Sequence, residues 1–284
     1  MAVSLCVASS ALGCSLFVPI PDLVGGQADV GTQDAAMPPP QEGGRGDSGS
    51  ASSPYAQAVL ADKPLAYWRL DELTGPTATD LSGHGYDGTY TGLISYGQPG
   101  AIANERDAAV SFNGGYMTAA GVPLFSGTAQ FTLEVWIKRL QDDAYHGILA
   151  QNDRIGGNVS EGYLLVFQPA NVGAPLDLSR FHASNGDYAN TFGLAWSNTW
   201  THVVATYDSQ TITLYVNGVS AGSTTSTTMI GVVTDPFTVG IDSGGVENPS
   251  PFDGMIDEVA IYDHPLSLAQ VQAHYTVGSG LPVP

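Results

Sequence analysis

About a dozen short runs of β-branched and aromatic residues, bounded by Gly, Pro, Asn, Asp or Ser, succeed one another with no long helical period between them. The clearest is Phe131-Thr132-Leu133-Glu134-Val135-Trp136-Ile137-Lys138, in which Phe131, Leu133, Val135 and Ile137 share one face of a strand. Trp136 falls on the other face, where packing beneath a loop is expected. Further strands are predicted at 66–70, 89–93, 107–112, 146–150, 163–167, 200–207, 211–216, 237–241 and 255–262, with two more opening at Tyr116 and Val219. Without crossover helices such a chain cannot form a doubly wound α/β fold, and two packed antiparallel sheets are expected.

Turn chemistry fixes part of the connectivity. Asn217-Gly218 follows Ile212, Leu214 and Val216, and both central positions of a type I′ hairpin turn require φ > 0. The closing stretch runs from Phe252-Asp253-Gly254 through Asp257-Glu258 to Pro265-Leu266-Ser267. Ser267 caps a helix reaching about Tyr275, with Gln270 completing a capping box. Strict alternation along the last strand sends adjacent Asp257 and Glu258 to opposite faces, which denies them a paired acid–base role.

A formal charge of -19 argues against a nucleic-acid or anionic-lipid partner, because phosphate binding needs a basic field. The two cysteines, Cys6 and Cys14, leave the remainder without disulfide or thiolate chemistry. Residues 1–24 read as an export leader, and Ala11-Leu12-Gly13-Cys14 resembles a bacterial lipobox, so Cys14 is the expected lipidation site. Simple secretion and an apolar N-terminus without a targeting role are the alternatives. An exported, surface or outer-membrane location is expected, with the membrane reached only through the lipid. Residues 25–53 hold no aromatic residue and read as a flexible tether, 54–278 as the folded domain and 279–284 as a flexible tail.

Six ordered motifs then resemble a known family. They are Ala66-Tyr67-Trp68-Arg69-Leu70, the Asp80-to-Gly88 turn, Phe131–Ile137, Trp200-Thr201-His202-Val203-Val204, Leu214-Tyr215-Val216-Asn217-Gly218 and Phe252–Tyr262. Together they are similar to the laminin-G-like, concanavalin A-like jelly-roll domain of bacterial secreted proteins and lipoproteins. The resemblance implies an all-β, two-sheet antiparallel jelly-roll sandwich with a short C-terminal helix. It also implies one structural Ca²⁺, for which Asp80, Gly83 and Asp257 are the matching positions. The alternative for Asp80 is that it caps its own turn.

The function expected is a non-catalytic binding module for carbohydrate or another surface polymer. The rival is a structural or protein-adhesive surface domain. Tyr145, Phe181, Tyr188 and Trp196, with Asp187 beside them, are candidate ligand contacts, core packing being the alternative for each ring. A glycoside hydrolase is disfavoured, because related glycosidases carry a Glu-x-Asp-x-x-Glu strand and Leu133-Glu134-Val135-Trp136 supplies a single carboxylate. His202 is expected to be packed or hydrogen-bonded rather than a base.

Overall fold

A computed structural model describes residues 53–140, 145–154, 160–168, 176–182, 185–190, 198–226, 228–242 and 250–284. The chain divides into two units, Met1–Gly43 and Gly44–Pro284, and every described residue belongs to the second.

The first sheet holds β1 (Ala66–Trp68), β4 (Ile94–Pro99), β5 (Ala108–Asn113), β7 (Phe131–Arg139), β12 (Thr201–Tyr207), β13 (Thr211–Val216), β14 (Val219–Thr225) and β16 (Asp253–Tyr262). Its order is β14-β13-β12-β7-β16-β5-β4, with β1 also pairing β16. The second sheet holds β2 (Thr77–Ala78), β3 (Gly88–Thr91), β6 (Tyr116–Ala119), β8 (His146–Arg154), β9 (Ser160–Phe167), β10 (Leu176–His182), β11 (Asn185–Asn190) and β15 (Phe237–Val239). Its order is β11-β10-β9-β8-β15-β6-β3-β2, and every ladder in both sheets is antiparallel. This is the jelly-roll sandwich expected from the sequence. Strands β2, β4, β10 and β11 were absent from that expectation: β2 is two residues long, and the others carry too few apolar residues to show a period.

The sheets meet over a core in which Trp68 stacks on Phe237 at 5.8 Å and Phe131 packs on Tyr163 at 4.8 Å. The opposite face of the first sheet is covered by α1 (Pro54–Ala61) and α2 (Leu268–Ser279). Helix α2 starts on the expected capping box, Ser267 with Gln270, and runs four residues past Tyr275. Trp136 is buried as expected, but its cover is helical: it lies edge-on to Tyr55 of α1 and stacked on Tyr275 of α2.

Glu134, fully buried on this covered face, ties the helices down. Its Oε1 accepts from the Tyr55 hydroxyl (3.1 Å), His202 Nε2 (2.8 Å) and His274 Nδ1 (3.0 Å), while Oε2 accepts from the Tyr262 hydroxyl (2.7 Å). His274 Nε2 lies 3.1 Å from Asp62 Oδ2, so both of its ring nitrogens face carboxylates and the ring is an imidazolium. Burial opposes that charge, but Glu134 and Asp62 outweigh it and raise the His274 pKa to about 9. Burial likewise works against the Glu134 carboxylate, yet His274 and His202 hold it well below the usual carboxylate range. Burial keeps His202 neutral. It is the hydrogen-bonded structural histidine expected from the sequence.

Candidate functional site

Two arrangements outside the core carry chemistry. The first is an acidic cluster produced by an irregularity in β16. Ile256, Val259 and Ile261 all face the core, a spacing of three and then two. The register against β7 shifts between Asp257 and Ala260, and Glu258 adopts φ +51° while its amide bonds the Arg69 carbonyl. The extra residue of this β-bulge puts Asp257 and Glu258 on the same, helix-covered side. Strict alternation would have separated them, so the opposite-faces expectation is corrected here. The three-residue gap between core-facing Ile256 and Val259 was the signal in the sequence.

Oxygens of Asp107, Asp257 and Glu258 lie within 4.8 Å of one another. Arg69 crosses the cluster, its Nε 3.0 Å from Glu258 Oε1, Nη2 3.1 Å from Asp107 Oδ1 and Nη1 3.1 Å from Asp71 Oδ2. The Tyr67 hydroxyl donates to Glu258 Oε2, and the amides of Ala101 and Ile102 donate to Asp257 and Asp107. Asp257 Oδ1 is buried with no hydrogen-bond donor among the described residues. Burial raises Asp257 well above the carboxylate range, and the neighbouring Asp107 and Glu258 raise it further. Burial raises Glu258 too, Arg69 opposing, and lifts Asp71 to about 7. One guanidinium therefore serves a cluster of Asp71, Glu105, Asp107, Asp257 and Glu258, a surplus that protons or a cation must neutralise. By donor type and spacing the Asp107–Asp257–Glu258 group can coordinate a divalent cation, whereas a protonated Asp257 hydrogen-bonds Asp107 instead.

The sequence grouped Asp257 with Asp80 and Gly83. In the structure Asp80 is engaged by its own turn: Oδ1 accepts from the amides of Tyr67 (3.0 Å) and Ser82 (2.9 Å), and Oδ2 from the Ser82 hydroxyl (2.8 Å) and the Tyr86 amide (2.9 Å). Gly83 supplies the left-handed φ of +89° that this turn requires. Asp107 and Arg69 were not singled out by sequence reasoning, because nothing local links them to β16.

The second arrangement is a cleft of about 540 Å³ at one rim of the sandwich. Asn113 and Asp253 face each other across the β5–β16 ladder, and Gly114 opens the turn beyond. Half-buried Tyr145, packed against Ala150, Leu164 and Val166, and buried His146 also line it at the start of β8. His146 Nδ1 bonds the Pro251 carbonyl at 2.7 Å, whereas Nε2 has no hydrogen-bond partner among the described residues. Among the described side chains, Tyr145 is the sequence-derived aromatic candidate that lines this cleft. The backbones of Phe181, Asp187 and Tyr188 lie in the β10–β11 hairpin at the edge of the second sheet, with Phe181 opposite Gly186 and Arg180 opposite Asp187. Trp196 and Cys14 fall outside the described residues.

Comparison with known proteins agrees with this architecture. A profile of the concanavalin A-like lectin/glucanases superfamily matches residues 112–272, more than half of the chain. The chain belongs to this superfamily. No curated protein matches it. Among solved structures, domain 4 of AbnA, an extracellular arabinanase of Geobacillus stearothermophilus in complex with arabinotriose, superposes with a TM-score of 0.56 at 23% identity. That match covers 75% of this chain and 98% of the other. The binding domain of Paraclostridial Mosquitocidal Protein 1 gives 0.52 at 18% identity, covering 76% of this chain and 52% of that one. The binding domain of botulinum neurotoxin DC, in complex with SialylT, gives 0.53 at 14% identity, again covering 76% and 52%. The chain thus spans about half the length of the toxin domains, and at these identities the likeness is one of fold.

Proposed function

We propose that the domain is a non-catalytic module that binds carbohydrate or another surface polymer outside the cell. The observation that carries this reading is the rim cleft, where the Tyr145 ring stands beside Asn113, His146 and Asp253. An apolar ring face with a few convergent polar groups is what a sugar needs, since its ring carbons stack while its hydroxyls require hydrogen bonds. The solved relatives support the reading through what they hold, arabinotriose in one and SialylT in another. The Asp257–Glu258 pair gives no support to hydrolysis: both side chains are fully buried and Glu258 is clamped by Arg69 and Tyr67.

In this reading residues 1–24 direct export, Cys14 carries the lipid, and residues 25–53 hold the domain away from the membrane. Ca²⁺ is the proposed cation, held by Asp107, Asp257 and Glu258 next to Arg69, where it would supply charge neutralisation between β16 and the 101–107 segment. The test is a glycan array probed with the full chain, with and without chelator. Absence of binding in both conditions would remove the glycan reading. A melting temperature unmoved by chelation and by added Ca²⁺ would remove the calcium.

A further inference from the structure

We infer that the rim cleft selects neutral sugars and rejects acidic ones. The inference rests on the glycan reading above and adds the ligand's charge class. Among the described residues lining the cleft there is no Lys or Arg, and the one ionisable acid is Asp253. Asp253 stands directly across the ladder from Asn113, so an acceptor-only carboxylate and an amide are presented side by side. Two adjacent hydroxyls of a neutral ring match that pair, donating to Asp253 and exchanging hydrogen bonds with Asn113. A sialic or uronic acid would instead place its carboxylate against Asp253, with no Lys or Arg among the described lining residues to pair it, on a chain whose formal charge is already -19.

At Gly114, with φ +93°, an added Cβ would meet nothing within 4 Å, which leaves the turn backbone open to the incoming ring.

The experiment uses an array of neutral glycans printed beside their sialylated and uronic-acid counterparts, probed with the full chain and with Asp253→Asn and Tyr145→Ala. The expected result is binding to neutral glycans, with the acidic counterparts weaker by roughly tenfold or more. Tyr145→Ala should lose the neutral hits, and Asp253→Asn, which keeps the side-chain shape, should narrow the gap between each neutral and acidic pair. An unchanged melting temperature would show that each variant is folded. Acidic glycans bound as well as neutral ones would overturn the charge selection while leaving the glycan reading intact. Hits indifferent to both substitutions would place the site elsewhere and overturn the inference. No hits for any protein would overturn both readings.

Discussion

Raising the pH from 7.5 to 9.5 should weaken the domain through His274. Its two nitrogens sit 3.0 Å from Glu134 and 3.1 Å from Asp62, joining α2 to β7 and to the end of α1. The folded pKa of about 9 exceeds the ordinary 6.5, so the folded state holds this proton where the unfolded chain has released it. The stabilisation is complete below pH 6.5 and drains as pH rises through about 9. The slope is about 1.4 kcal/mol per pH unit, and the raised pKa amounts to about 3 kcal/mol in all. Asp257 and Glu258, which burial raises well above the carboxylate range, add a slope of the same sign, so the difference between the wild type and a His274 variant isolates His274. Urea denaturation at half-unit pH steps measures the slope, and the imidazole nitrogen shifts of His274 report the titration directly. His274→Gln keeps a donor toward Glu134 but not the charge, and should be less stable at pH 7 with a shallower profile above it. A wild-type profile that is flat from 7.5 to 9, or an equal slope in His274→Gln, would refute the imidazolium clasp.

Arg69→Leu removes the guanidinium that pairs with these buried carboxyl groups, and an uncompensated buried charge costs about 3–5 kcal/mol. Denaturation at pH 7 should show that loss, and because protonation relieves it, the deficit should shrink at pH 5. Gly147→Ala brings a Cβ to 2.1 Å from the Asp242 amide nitrogen, a backbone atom that cannot swing aside, so a loss of about 1–3 kcal/mol is expected. Gly114→Ala, in open space, costs only its left-handed φ, about 1–2 kcal/mol. Differential scanning calorimetry on the three variants ranks these effects.

The architecture was legible in the sequence because its determinants are local. Alternation in Phe131–Lys138, the Asn217-Gly218 turn and the Ser267/Gln270 cap each depend on residues a few positions apart, and each stands in the structure as the sequence predicts. Tertiary structure decided what those elements bring together. The bulge at Glu258 breaks the period of two and turns a separated Asp257–Glu258 pair into neighbours, and only the pairing of β16 with β5, β7 and β1 delivers Asp107 and Arg69 to them. Asp80 shows the converse: its turn was legible, but its carboxylate is saturated locally and leaves Asp257 to other partners. The rim cleft likewise joins Asn113, Tyr145 and Asp253 from three separate stretches of chain. Period and turn chemistry determine which way a side chain faces, whereas register and strand order determine what it meets.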